Sequence, residues 1–142
     1  MDTTVFIHTL LNDLDDDIFH LSKGSKIRHL YVPGLCETIA IGIAVVYLSC
    51  FFNVGGTAKR QRAWLNRLFS AAKTNTLDST LDKELSSDFE KAKEFITPST
   101  VSEADKEAVR IQVSLLLEEQ GMSVPVADSI VCKLERVYFQ NR

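Results

Sequence analysis

The chain is expected to be all-α, with about six helices packed around a central, fully hydrophobic helix near residues 35–54. Three observations predict this. Apolar residues recur at intervals of three and four along almost all of the 142 residues, the spacing of one helical face. No segment sustains the period-two alternation of a half-buried strand. Between Glu37 and Lys59 lie 21 consecutive uncharged residues, and from Ile39 to Phe52 the apolar side chains run around the whole helical circumference. A helix of that kind must sit in a protein core or in lipid.

The elements follow in order. Phe6, Leu10, Leu14, Ile18 and Leu21 form one stripe of an amphipathic helix over 4–22, with Thr3 or Thr4 as cap. Gly24, Pro33 and Gly34 mark residues 22–34 as a connection. The uncharged helix comes next, and Gly55 and Gly56 are expected to close it, because glycine adopts the left-handed conformation at low steric cost. Gln61, Trp64, Leu65, Leu68, Phe69 and Ala72 predict a third helix over 57–73. Leu77, Leu81, Leu85, Phe89, Ala92 and Ile96 predict a fourth, ending before Pro98. Ser102 and Asp105 resemble a capping box for a fifth helix. Its expected stripe is Ala104, Ala108, Ile111, Leu115 and Leu116, with Gly121 as its C-terminal cap. Ser123 and Pro125 start a sixth, with Val126, Ile130, Leu134, Val137 and Tyr138 on one face.

Length decides between core and lipid for the central helix. A bilayer needs about 20 apolar residues, whereas a run of about 10–14 is usually a buried core helix. Ile39 to Phe52 spans 14 residues, or about 21 Å at about 1.5 Å per residue. Basic residues flank the run on both sides, so the bias to one side that orients a single span is missing. The core reading is therefore preferred. The alternative is a small membrane-anchored protein in which 35–54 spans the bilayer below a cytosolic helical domain. Ala40, Gly42 and Ala44 would allow close helix approach in either solvent.

Composition agrees with a single soluble domain over 1–142. Hydrophobic residues make up 45% and charged residues 25%, as in an ordinary globular protein. The start lacks a basic segment followed by a continuous apolar run, so no secretory signal is expected. Cys36, Cys50 and Cys132 are an odd count without a close pair, which points to free thiols in a reducing cytoplasm.

Charge is segregated along the chain. Residues 1–22 hold five acids and no Lys or Arg, whereas residues 23–73 hold eight basic residues against Glu37 alone. Residues 74–119 hold eleven acids and five basic residues. Either these blocks neutralise one another within the fold, or they steer a partner. Asp13, Asp15, Asp16 and Asp17 are the candidate partner-binding residues, because four carboxylates within five residues repel one another and a basic partner relieves that repulsion. As a calcium loop the cluster fails, since the sixth and twelfth positions are Ile18 and Gly24 rather than Gly and Glu. The basic run from Lys59 to Arg67 contains Trp64, but Trp64 falls on the apolar stripe and the net charge is −3, so nucleic acid is disfavoured.

No catalytic constellation emerges. His8, His20 and His29 lack metal-ligand spacing, and no CxxC, GxSxG or glycine-rich nucleotide signature is present. The cysteines are expected to act as small buried hydrophobes. No cofactor or metal is expected. In form, a small, acidic, helical chain of this kind looks like the bacterial immunity proteins and antitoxins. The expected function is thus a non-catalytic protein-binding module that inhibits a protein partner, a basic toxin or enzyme, by stoichiometric binding.

Overall fold

The computed structural model describes residues 2–14, 34–54, 56–74, 76 and 79–140. Among these, six α-helices and no strand are present: α1 (Thr3–Leu14), α2 (Leu35–Ser49), α3 (Lys59–Thr74), α4 (Ser79–Phe95), α5 (Glu103–Glu119) and α6 (Val124–Glu135). The expected all-α class and the central apolar helix are both observed. Ile18, Leu21 and Leu77 of the expected stripes lie outside the described residues.

Helix α2 touches all five other helices. Twelve of its 15 residues are buried. Apolar side chains on every face can leave water only if neighbours surround them, and amphipathic helices supply those neighbours by turning one stripe inward. The inward stripes are Phe6, Leu10 and Leu14 on α1, Leu81, Leu85, Phe89 and Ala92 on α4, and Ile130, Val131 and Leu134 on α6. On α3 all six residues of the expected stripe are buried, Trp64 among them, so Trp64 is a core residue. At Gly42 the α3 side chain of Leu68 lies against the α2 backbone.

Three helix ends depart from expectation. Helix α1 is capped by Asp2, whose Oδ1 accepts the Thr4 N–H at 2.8 Å, rather than by Thr3 or Thr4. Helix α2 tightens into a 3-10 turn at Cys50–Phe52 and ends at Asn53, before Gly55 and Gly56. After Glu135 the chain continues as a π-helical turn, Arg136–Gln140, that buries Val137, Tyr138 and Phe139 in succession. The expected caps of α5 are present. Ser102 Oγ accepts the Asp105 N–H at 3.1 Å. Gly121, with φ of 98°, donates to Glu118 O at 2.9 Å, and Met122 donates to Leu117 O. That is a Schellman closure.

Helix α5 corrects the sequence reading. Its buried residues are Val109, Val113, Ser114, Leu116 and Leu117. Ile111 and Leu115, expected in the core, are 55% and 56% exposed. The helix has apolar residues on two faces, and only one of them meets the bundle.

The charge blocks largely meet within the fold. Arg60 and Arg67 of α3 reach Asp88 and Glu84 of α4 at 3.2 and 3.1 Å. Arg62 makes a two-pronged contact with Glu119 of α5 at 2.7 and 3.1 Å. These bonds hold the Glu119 carboxyl below its ordinary range.

Candidate functional site

Two concave surfaces flank the core, and they carry opposite charge. The first lies where α5 and α6 run side by side, as an open depression of about 410 Å³. Ile111 and Leu115 stand one helical turn apart on its α5 side, and Val131 of α6 lies at its base. Glu107, Glu118 and Asp128 surround it. Glu107 is held by Arg110, which also reaches Glu135 at 3.2 Å. Glu118 and Asp128 form no ion pair among the described residues. The face therefore presents apolar side chains beside free carboxylates.

The second surface lies where the end of α2 meets α3 and α4. A groove of about 220 Å³ has Val45, Trp64 and Ala92 in its floor, all three buried. Phe52 and Phe95 stand at its mouth, each 60% exposed. Their rings meet edge to face at 6.4 Å and 76°. The Arg60 guanidinium lies 4.6 Å over the Trp64 ring while it holds Asp88. Two further depressions, of about 420 and 440 Å³, adjoin the groove at Arg60, one bordered by Lys83 and Lys91 and the other by Lys59. None of these three lysines forms an ion pair among the described residues.

Of the acidic residues expected to bind a partner, only Asp13 is described. Its carboxylate receives Arg136 Nη2 at 2.9 Å. Asp15, Asp16 and Asp17 lie outside the described residues, as do His20 and His29. His8 is exposed on α1. Among the described residues no group of three His, Cys, Asp or Glu side chains is gathered as metal ligands would be.

The cysteines occupy three different environments. Cys50 is buried, and burial pushes its thiol up to about 12. Cys36 is half-buried, and burial together with the Glu37 carboxylate raises it as well, against the thiolate that its place near a helix N-terminus would favour. Cys132 is exposed at the edge of the α5/α6 depression, contrary to the expectation of a buried side chain.

Sequence reasoning missed both surfaces. Lys83, Lys91, Glu118 and Asp128 belong to no motif or charge cluster that the sequence sets apart. Phe95, three residues after Ala92, falls at the margin of the inward stripe, so helical spacing gave no sign of its exposure. No protein-family model matches the chain, and no curated protein or solved structure matches it either.

Proposed function

We propose that the protein is a non-catalytic binding module, an inhibitor of the immunity or antitoxin kind, that neutralises a basic protein partner by stoichiometric binding through the α5/α6 face. One observation carries this reading: Ile111 and Leu115 project into water beside Glu118 and Asp128, which form no ion pair among the described residues. Covering the two aliphatic side chains in a complex stabilises it at about 25 cal/mol per Å² of apolar area removed from water. The free carboxylates favour a basic surface and speed its approach, an effect that weakens with salt. The acidic segment near Asp13 would add a second contact of the same sign, although Asp13 is itself engaged by Arg136. A cytoplasmic location belongs to this reading.

The test is co-purification with tagged protein at low salt, followed by mass spectrometry and stoichiometry by light scattering. The expected result is a 1:1 complex with a basic protein. Leu115→Ser and the pair Glu118→Gln with Asp128→Asn should weaken it without changing the melting curve. Turnover by the purified protein, lost on substituting Cys36 or His8, would overturn the reading. So would recovery only in carbonate-resistant membranes, the outcome expected if Leu35–Phe52 spans a bilayer, for which it has the length and composition.

A further inference from the structure

The groove with Phe52 and Phe95 at its mouth has the opposite charge character, and nothing in the inhibitor reading uses it. Phe52 and Phe95, each 60% exposed, pack edge to face above an apolar floor and so leave a contiguous apolar patch in water, the kind of surface that marks a binding site. The local charges are also unbalanced. Arg60 and Arg67 are matched by Asp88 and Glu84, which leaves the ammonium groups of Lys59, Lys83 and Lys91 in excess around the groove. An occupant must therefore be apolar at its centre and negative at its edges.

Size and shape narrow the class. The apolar recess holds about 220 Å³, room for one bulky side chain and less than the about 300–1,000 Å³ of a drug-sized pocket, and the charged depressions of about 420 and 440 Å³ beside it extend the site along the surface, as a peptide segment does. Bases stack on parallel ring faces, but these rings stand at 76° to one another. A lipid surface is met by a projecting apolar face rather than by a recess. A single large side chain seated in a desolvated recess, with complementary charges at the rim, is the usual anchor of a protein contact.

We propose that this groove is a second docking site, which binds an acidic peptide segment of a partner protein by seating one Leu, Phe or Trp on the apolar floor of Val45, Trp64 and Ala92, against the flank of the Phe52–Phe95 ring pair, while its carboxylates pair with Lys59, Lys83 and Lys91. The site is independent of the α5/α6 face, so either can fail alone.

The probe is a panel of fluorescein-labelled synthetic peptides, glutamate-rich, with one central leucine, phenylalanine or tryptophan. Anisotropy titrations on the full chain at low and physiological salt read the affinity. At least one peptide should bind with an affinity that falls as salt rises. Replacing its central residue by serine, or its glutamates by lysines, should weaken it at least tenfold. Phe95→Ser should do the same with an unchanged melting curve, because the ring is mostly in water. Lys83→Glu with Lys91→Glu should lower the affinity and flatten the salt dependence. Binding by none of the panel, equal binding of acidic and basic peptides, or indifference to Phe95→Ser would overturn the proposal. Phe95-dependent binding of anionic phospholipid vesicles or single-stranded DNA without peptide binding would also overturn it, by giving the groove to another class of ligand. Leu115→Ser, which tests the inhibitor face, should leave peptide binding unchanged.

Discussion

Leu68 fills the space into which a side chain at Gly42 would project, so that a Cβ built there would come within 2.7 Å of Leu68 Cδ2. Leu68 is itself 1% exposed, so its side chain would have to repack within the core to make room. Helices α2 and α3 are packed closely because one of them presents bare backbone at this point. Gly42→Ala should therefore cost about 1–3 kcal/mol by overpacking, measured by urea unfolding. In a double-mutant cycle, Leu68→Ala should make the alanine at 42 less costly, so the two changes together fall short of their sum. Strict additivity would mean that the helices do not meet here. Gly121 offers a control: a Cβ there meets nothing within 4 Å, but its φ is 98°. Gly121→Ala should lose about 1 kcal/mol through backbone conformation alone, with no coupling to Leu68.

Val46, fully buried in the middle of α2, has neighbours on every side. Val46→Asp places a carboxylate where no cation is within the apolar cluster. Such an uncompensated charge costs several kcal/mol (about 3–5 for a broken buried pair), a large fraction of the stability of a small domain. The variant should be unfolded or insoluble. A soluble Val46→Asp protein with an unchanged melting curve would show that α2 has an open face.

Two buried tyrosines should respond in opposite ways to loss of their hydroxyls. Tyr138 donates from its hydroxyl to Ile96 O at 2.6 Å. The Tyr47 hydroxyl is buried and has no hydrogen-bond partner among the described residues. Tyr138→Phe should cost about 1 kcal/mol. Tyr47→Phe should be neutral or stabilising, because it removes a polar group already deprived of water. Chemical denaturation of the two variants side by side decides this. Equal losses would mean that Tyr47 has a partner after all.

The thiols should react in the order of their exposure. In the native protein Cys132 should react rapidly with a disulfide reagent, Cys36 slowly, and Cys50 only on unfolding. Cys50 also bears on alkaline stability. Burial raises its thiol from 9.0 to about 12, so the folded chain keeps a proton that the unfolded chain releases earlier. The folded state is then fully favoured below pH 9 and loses this contribution as the pH rises from about 9 towards 12. Tyr47, raised by burial and by Glu135, adds to the same decline above pH 10. Denaturation midpoints measured across this range should fall less steeply in Cys50→Ala. An unchanged slope would mean that the thiol is not desolvated.

Helix periodicity and local cap chemistry were enough to read the class, the central helix, the inward stripes of α3 and α4 and the closure of α5, because each depends on side chains within a few positions of one another. The full burial of Ile39 through Leu48 was also legible, since an apolar circumference leaves no face to expose. What lay beyond reach was which of two available faces a helix would turn inward. On α5 the set Val109, Val113, Leu116 and Leu117 and the set Ile111 and Leu115 are both apolar at helical spacing, and only the position of α6 and α2 selects the first. Phe51 and Phe52 are adjacent and chemically identical, yet Phe51 packs on Tyr47 and Phe139 while Phe52 stands in water beside Phe95. The charge blocks had the same ambiguity. Whether Arg60, Arg62 and Arg67 were free to steer a partner depended on α4 and α5 bringing Asp88, Glu119 and Glu84 within reach. The charges left unmatched by that packing, lysines beside one groove and carboxylates beside the other, are a product of tertiary geometry, because pairing depends on distance in space and the chain records only distance in sequence.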